Sequence, residues 1–187
     1  MEKGIICFET GEFAKFRTDN QFTALPLLEF MKQARLIDNY IYRQIATRQE
    51  LEYYLKKISD KHFQNKFGVI YLSFHGKPEN LCLAQNKNIS LVDVSEMLAP
   101  YESFVNRHIH FSSCETLKCE EEVIKRFKRN TGSKTVSGYT ECVDATAAYI
   151  NELAYFHQIF SYSTITTIKK HMTDYQSQLN KLGFIIV

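Results

Sequence analysis

The sequence predicts an α/β fold, a three-layer sandwich with a mainly parallel central sheet and helices on both faces, in a single domain over residues 1–187. Two observations predict it. Short runs of β-branched and aromatic residues alternate with segments whose apolar residues recur at helical spacing, and β-α-β-α order requires a parallel sheet with crossover helices. The run Val69-Ile70-Tyr71-Leu72-Ser73-Phe74 is also apolar almost throughout, as in a strand covered on both faces. At 187 residues the chain is long enough for one full core.

Gly4-Ile5-Ile6-Cys7-Phe8 reads as a buried first strand, with Glu9-Thr10-Gly11-Glu12 as the loop that ends it. Pro26 suits the first turn of a helix, which Leu27, Phe30, Met31 and Ala34 continue at helical spacing. Residues 39–46 form a second strand. Thr47 and Glu50 have capping-box spacing before the amphipathic set Leu51, Tyr54, Leu55 and Ile58. Residues 67–74 are the third strand.

Simple alternation then breaks. Leu81-Cys82-Leu83 and Asn88-Ile89 read as a small hairpin around Gln85-Asn86-Lys87. Ser90 and Asp93 again have capping-box spacing, and the short helix they open runs to Leu98, before Pro100. Residues 107–113 are the fourth strand. Val123, Ile124 and Phe127 mark a helix closed near Gly132, and residues 135–139 are the fifth strand. Asp144 is an N-cap for a helix through Leu153 to Phe160. Ile165, Ile168, Met172, Tyr175, Leu179 and Leu182 form an apolar stripe on a last helix, expected to pack on the sheet, and Phe184 to Val187 read as a final strand.

The chemistry gathers at two strand ends. The third strand ends on His75-Gly76 and the fourth on Ser112-Ser113-Cys114-Glu115-Thr116. As neighbouring parallel strands, both would open on the carboxyl edge, where open α/β sheets bind ligands. A thiol beside an imidazole is a nucleophile beside its base. The ordinary alternative for a free cysteine is packing, and Cys7, Cys82 and Cys142 are read that way. His108 and His110 lie on the cysteine's own strand, away from that edge, and read as packing or surface residues.

These segments carry a resemblance. Tyr71-Leu72-Ser73-Phe74-His75-Gly76 and Phe111-Ser112-Ser113-Cys114-Glu115-Thr116 resemble the two motifs of the caspase-like cysteine peptidases, the CHAT branch in particular. Gly138-Tyr139-Thr140-Glu141-Cys142-Val143-Asp144-Ala145-Thr146 resembles a third. Ser113 stands for the family's alanine and Leu117 for its last glycine, and the family's usual tryptophan is missing. The resemblance implies a cysteine endopeptidase with His75 and Cys114 as catalytic dyad and the Gly76 and Cys114 N–H groups as oxyanion hole. It needs no cofactor and no metal. It implies a regulated protease of bacterial signalling or defence, with a protein or peptide substrate and a separate sensor or regulatory protein as partner. The alternative is a catalytically silent caspase-like interaction module.

In such peptidases the first specificity pocket is lined from the end of the first strand, the region of the cysteine and the loop after the fifth strand. Those places hold Glu9 and Glu12, Glu115, and Glu141 and Asp144. An acidic pocket favours a cation, so cleavage after Arg or Lys is expected, with Glu9 and Glu141 as the foremost wall residues.

Composition sets the remaining bounds. A net charge of +2 gives no reason to expect nucleic acid or membrane as a partner. The basic cluster Lys125-Arg126-Phe127-Lys128-Arg129 fits the end of a helix, where cations complement the dipole. No apolar run approaches a membrane span and no signal-peptide pattern opens the chain, so a cytoplasmic location is expected. Five cysteines without regular spacing argue against a disulfide framework and a structural zinc site.

Overall fold

The computed structural model describes residues 3–10, 23–84, 87–102, 104–176 and 182–187. Glu12, Gln85, Asn86 and Leu179, each named above, lie outside them. In chain order the elements are β1 (Gly4–Thr10), α1 (Leu25–Gln33), β2 (Asn39–Ile45), α2 (Arg48–Lys57), α3 (Lys61–Lys66) and β3 (Val69–Ser73). The short strands β4 (His75–Lys77), β5 (Asn80–Cys82) and β6 (Asn88–Ser90) come next. Then follow α4 (Leu91–Leu98), β7 (His108–Phe111), α5 (Glu121–Thr131), β8 (Thr135–Tyr139), α6 (Ala145–Ser161), α7 (Ile165–Gln176) and β9 (Phe184–Ile186).

The main sheet has the order β2-β1-β3-β7-β8-β9. Its first five strands pair in parallel and β9 runs antiparallel to β8. The period of two along the strands divides the core. Ile6, Phe8, Ile70, Leu72, Ile109, Phe111 and Val136 face α2, α4 and α5. Ile5, Cys7, Val69 and Tyr71 face α1, α6 and α7. The result is the expected three-layer α/β sandwich.

Local chemistry sets the boundaries. Thr47 with Glu50, and Ser90 with Asp93, form complete capping boxes at α2 and α4. Asp144 accepts from the Ala147 N–H at 3.0 Å and starts α6. Gly132 ends α5 at φ 63°, left-handed backbone that glycine takes without a Cβ penalty.

Four points differ from the sequence reading. β1 runs through Thr10, so Glu9 belongs to the strand and not to a loop. α3 is too short for an apolar period to reveal it; Asp60 caps it by accepting from the His62 N–H at 2.8 Å. The hairpin is part of a three-stranded antiparallel sheet, β4-β5-β6, whose first strand begins at His75. The last helix packs on α6 and buries Ile168 and Met172, whereas Tyr175 is exposed and Leu182 lies outside any helix.

Candidate active site

Strand register brings the two motifs together. Leu72 of β3 pairs with Phe111 of β7, and the Ser112 N–H extends the ladder by donating to the Leu72 carbonyl at 2.9 Å. His75 comes three residues after Leu72, and Cys114 three after Phe111. Both therefore leave the carboxyl edge of adjacent parallel strands at the same level. His75 is exposed at the head of β4 and Cys114 is half-buried.

Gly76 sits directly against the cysteine's backbone. A Cβ on Gly76 would stand 2.2 Å from the Cys114 carbonyl oxygen and 2.4 Å from Thr116 Oγ1. No other residue type fits that approach without displacing the turn.

The turn carrying Cys114 is clamped from two sides. On one side the Glu115 N–H donates to the Glu141 carbonyl at 3.2 Å and the Leu117 N–H to the Tyr139 carbonyl at 3.1 Å. On the other, Thr116 Oγ1 donates to the Asn80 carbonyl of the small sheet at 3.1 Å. Ser113 Oγ donates to Thr116 Oγ1 at 2.7 Å, a bond that an alanine at 113 would lack. Leu117 is buried in the core beside α5 and anchors the end of the turn. Glu115 is left-handed at φ 55°, uncommon for a non-glycine residue, just after the cysteine.

The Cys114 sulfur meets the loop after β8. The Val143 N–H points to it at 3.4 Å, and its thiol reaches the Val143 carbonyl at 3.9 Å. Cys142 does not fill core space as expected: it is exposed, and its thiol donates to the Cys114 sulfur at 3.5 Å.

The four described acidic residues each have partners. Glu9 is buried, and its carboxylate accepts from Thr23 Oγ1 at 2.6 Å, the Ala24 N–H at 2.7 Å, Ser73 Oγ at 3.3 Å and the Tyr42 hydroxyl. Its lone pairs are therefore occupied. Desolvation first, and then the bond to Glu9, push the Tyr42 phenol up. Lys118 bridges Glu115 at 2.7 Å and Glu141 at 3.7 Å. Asp144 is the α6 cap. Among the described residues, no three His, Cys, Asp or Glu side chains are grouped to hold a metal ion.

A family model described as a family of unknown function, DUF6642, matches residues 2–186. The chain belongs to that family. The DUF6642 match spans the His75 turn, the Cys114 turn and the loop that covers the sulfur. No curated protein matches the chain. No described helix is long and apolar enough to cross a membrane.

Sequence reasoning missed a buried polar network beneath the site. Glu152 of α6 is fully buried. Its carboxylate accepts from the Tyr71 hydroxyl at 2.6 Å and from the Tyr139 hydroxyl at 3.4 Å, and lies 3.1 Å from His110 Nε2. His110 Nδ1 lies 3.0 Å from Ser137 Oγ. Desolvation, then the Glu152 charge, push the Tyr71 and Tyr139 phenols well up. The network ties α6 to β3, β7 and β8, and Tyr139 leads directly into the loop against the Cys114 sulfur. A signal was present: Glu152 interrupts the apolar face of Ala148, Tyr155, Phe156 and Ile159.

A cavity of about 270 Å³ opens at the opposite, amino edge, lined in part by Lys3, Gly68, His108 and Lys134. Its lining includes neither His75 nor Cys114. His108 there is buried, with Nδ1 2.8 Å from Thr135 Oγ1.

Proposed function

We propose that this chain is a cysteine endopeptidase of the caspase-like class, CHAT-type, with His75 and Cys114 as its dyad. The observation that carries this reading is the matched exit of the two residues from paired strands, with Gly76 packed on the Cys114 backbone. His75 takes the thiol proton, Cys114 Sγ attacks the scissile carbonyl, and the Gly76 and Cys114 N–H groups hold the oxyanion. The imidazolium then protonates the leaving amine. Water, deprotonated by the same imidazole, releases the acyl group. The substrate is a protein or peptide, and neither cofactor nor metal takes part.

The acidic surroundings support a preference for Arg or Lys on the acyl side. Glu9 acts through its charge, because its oxygens already hold four hydrogen bonds. Glu141 is half-exposed and, among the described residues, its carboxylate is paired across 3.7 Å to an exposed lysine, a weak contact that a cationic substrate can replace. Glu115, which shares Lys118 with Glu141, adds charge, and Asp144 follows three residues after Glu141 at the head of α6. The biological setting in this reading is regulated proteolysis in bacterial signalling or defence, in the cytoplasm, under a separate sensor or regulatory protein.

One observation favours the second reading, a catalytically silent caspase-like interaction module: Cys142 and Val143 already crowd the sulfur. An acyloxymethyl ketone carrying Arg or Lys decides between them. Prompt labelling of Cys114, abolished in His75→Ala, supports the peptidase. Failure to label Cys114 in folded chain overturns it and leaves the module.

A further inference from the structure

We propose that Cys114 and Cys142 form a reversible disulfide when the chain meets a hydroperoxide, which makes Cys142 a modification site that masks the nucleophile. The inference rests on Cys114 being the reactive thiol, and it adds a regulation to that site. The two sulfurs lie 3.5 Å apart and come from different segments, the turn after β7 and the loop after β8. A disulfide is roughly 2 Å long, so closure needs a shift of only about 1.5 Å. Cys142 is exposed, and so within reach of an external reductant. The other three cysteines are placed differently: Cys7 is buried in the β1 core, the Cys119 thiol turns back to the Leu117 carbonyl at 3.7 Å, and Cys82 lies on β5 opposite His75.

The chemistry balances. The Cys114 thiolate attacks a peroxide oxygen, the S–O bond forms and the O–O bond breaks. Cys114 becomes a sulfenic acid while the peroxide is reduced to water or an alcohol. Cys142 sulfur then attacks Cys114 sulfur. The S–S bond forms, the S–O bond breaks, and the departing hydroxide leaves as water with the proton that Cys142 gives up. An external dithiol reverses the process by thiol exchange and is itself oxidised to a disulfide.

The order of events is set by the pair itself. In the reduced state the Cys142 thiol is held above its ordinary value, first by the bond it donates to the Cys114 sulfur, next by the charge of that sulfur, with burial and Glu115 adding less. Once Cys114 is a neutral sulfenic acid the charge that opposes ionisation of Cys142 is gone, which favours attack by the Cys142 sulfur at that stage.

The test treats the full chain with hydrogen peroxide and reads intact mass and unreduced peptide maps. The expected result is loss of two hydrogens, a linked Cys114–Cys142 peptide, and loss of Cys114 alkylation that dithiothreitol restores. In Cys142→Ser, Cys114 should instead pass to sulfinic acid and dithiothreitol should restore nothing. Equal sulfinic acid formation in both chains, linkage of Cys114 to another cysteine, or an unoxidised Cys114 overturns the inference. These readouts do not depend on turnover. Disulfide without peptide cleavage refutes the peptidase alone, and cleavage without disulfide refutes the disulfide alone.

Discussion

Gly76 and Cys114 are in backbone contact so close that a methyl group on the first would stand 2.2 Å from the carbonyl oxygen of the second. Gly76→Ala should therefore push β4 and the Cys114 turn apart. We expect a stability loss of about 1–3 kcal/mol, the usual range for overpacking, read by urea unfolding. Cys114 labelling by the ketone probe should fall with it.

Cys114 should alkylate fastest of the five cysteines. Burial holds the Cys7 thiol well up, the Cys119 thiol is pushed up to about 11 chiefly by desolvation, and Cys142 is held up by Cys114 itself. Brief iodoacetamide treatment with mass-spectrometric mapping gives the ranking. Removing a catalytic base costs on the order of 100-fold or more in rate, so His75→Ala should lower peptide hydrolysis by at least that factor.

Glu152 links three strands from a fully buried position. Glu152→Ala strips His110, Tyr71 and Tyr139 of one partner at once. A loss of about 1–3 kcal/mol is expected for each buried group left short of a partner. Glu152→Gln keeps an acceptor for the phenols and should lose clearly less, in thermal or urea melts of the two variants.

Stability should fall as the solution turns acidic. Desolvation, aided by Lys134, lowers His108 from 6.5 to about 4. The unfolded chain therefore binds a proton that the folded chain refuses between those values. Stability is fully present above pH 6.5 and is lost progressively down to about pH 4, by about 3 kcal/mol. Urea midpoints across that range give the slope, and His108→Gln should flatten it.

Lys118 is the cation that occupies Glu115 and Glu141. Under the proposed basic preference, Lys118→Ala should raise kcat/KM for Arg and Lys substrates severalfold over neutral ones, because the substrate cation then no longer competes with Lys118 for these carboxylates. A positional-scanning peptide library checks this. Activity confined to aspartate would remove the basic preference and leave the dyad intact.

The main sheet and its caps could be read from the chain because long apolar runs and Ser, Thr or Asp caps are local signals. Thr47, Ser90 and Asp144 all start the helices their spacing predicts. The placement of His75 and Cys114 could be argued as well, since adjacent parallel strands leave only one edge for their ends. β4 and α3 could not, because three to six residues carry no period. The Cys142 contact was hidden for another reason. It depends on how β7 pairs with β8 across an intervening helix, and nothing near Cys142 in sequence encodes that. Glu9 could not be placed by position alone: β1 runs two residues further than its apolar run, through Thr10, which turns a loop carboxylate into a buried one paired opposite Ser73.

The Glu152 carboxylate also acts as a key for strand alignment. It meets Tyr71, His110 and Tyr139, one residue from each of three adjacent strands. Slipping β3 or β7 by one residue turns its polar group to the opposite face and presents an aliphatic side chain, Ile70 or Ile109, to the buried carboxyl group, and slipping β8 presents Gly138 or Thr140 in place of Tyr139. Shifted alignments that apolar packing alone would tolerate thus leave the Glu152 carboxyl group short of a partner, and the chain is steered to the one alignment in which His75 and Cys114 leave the sheet side by side.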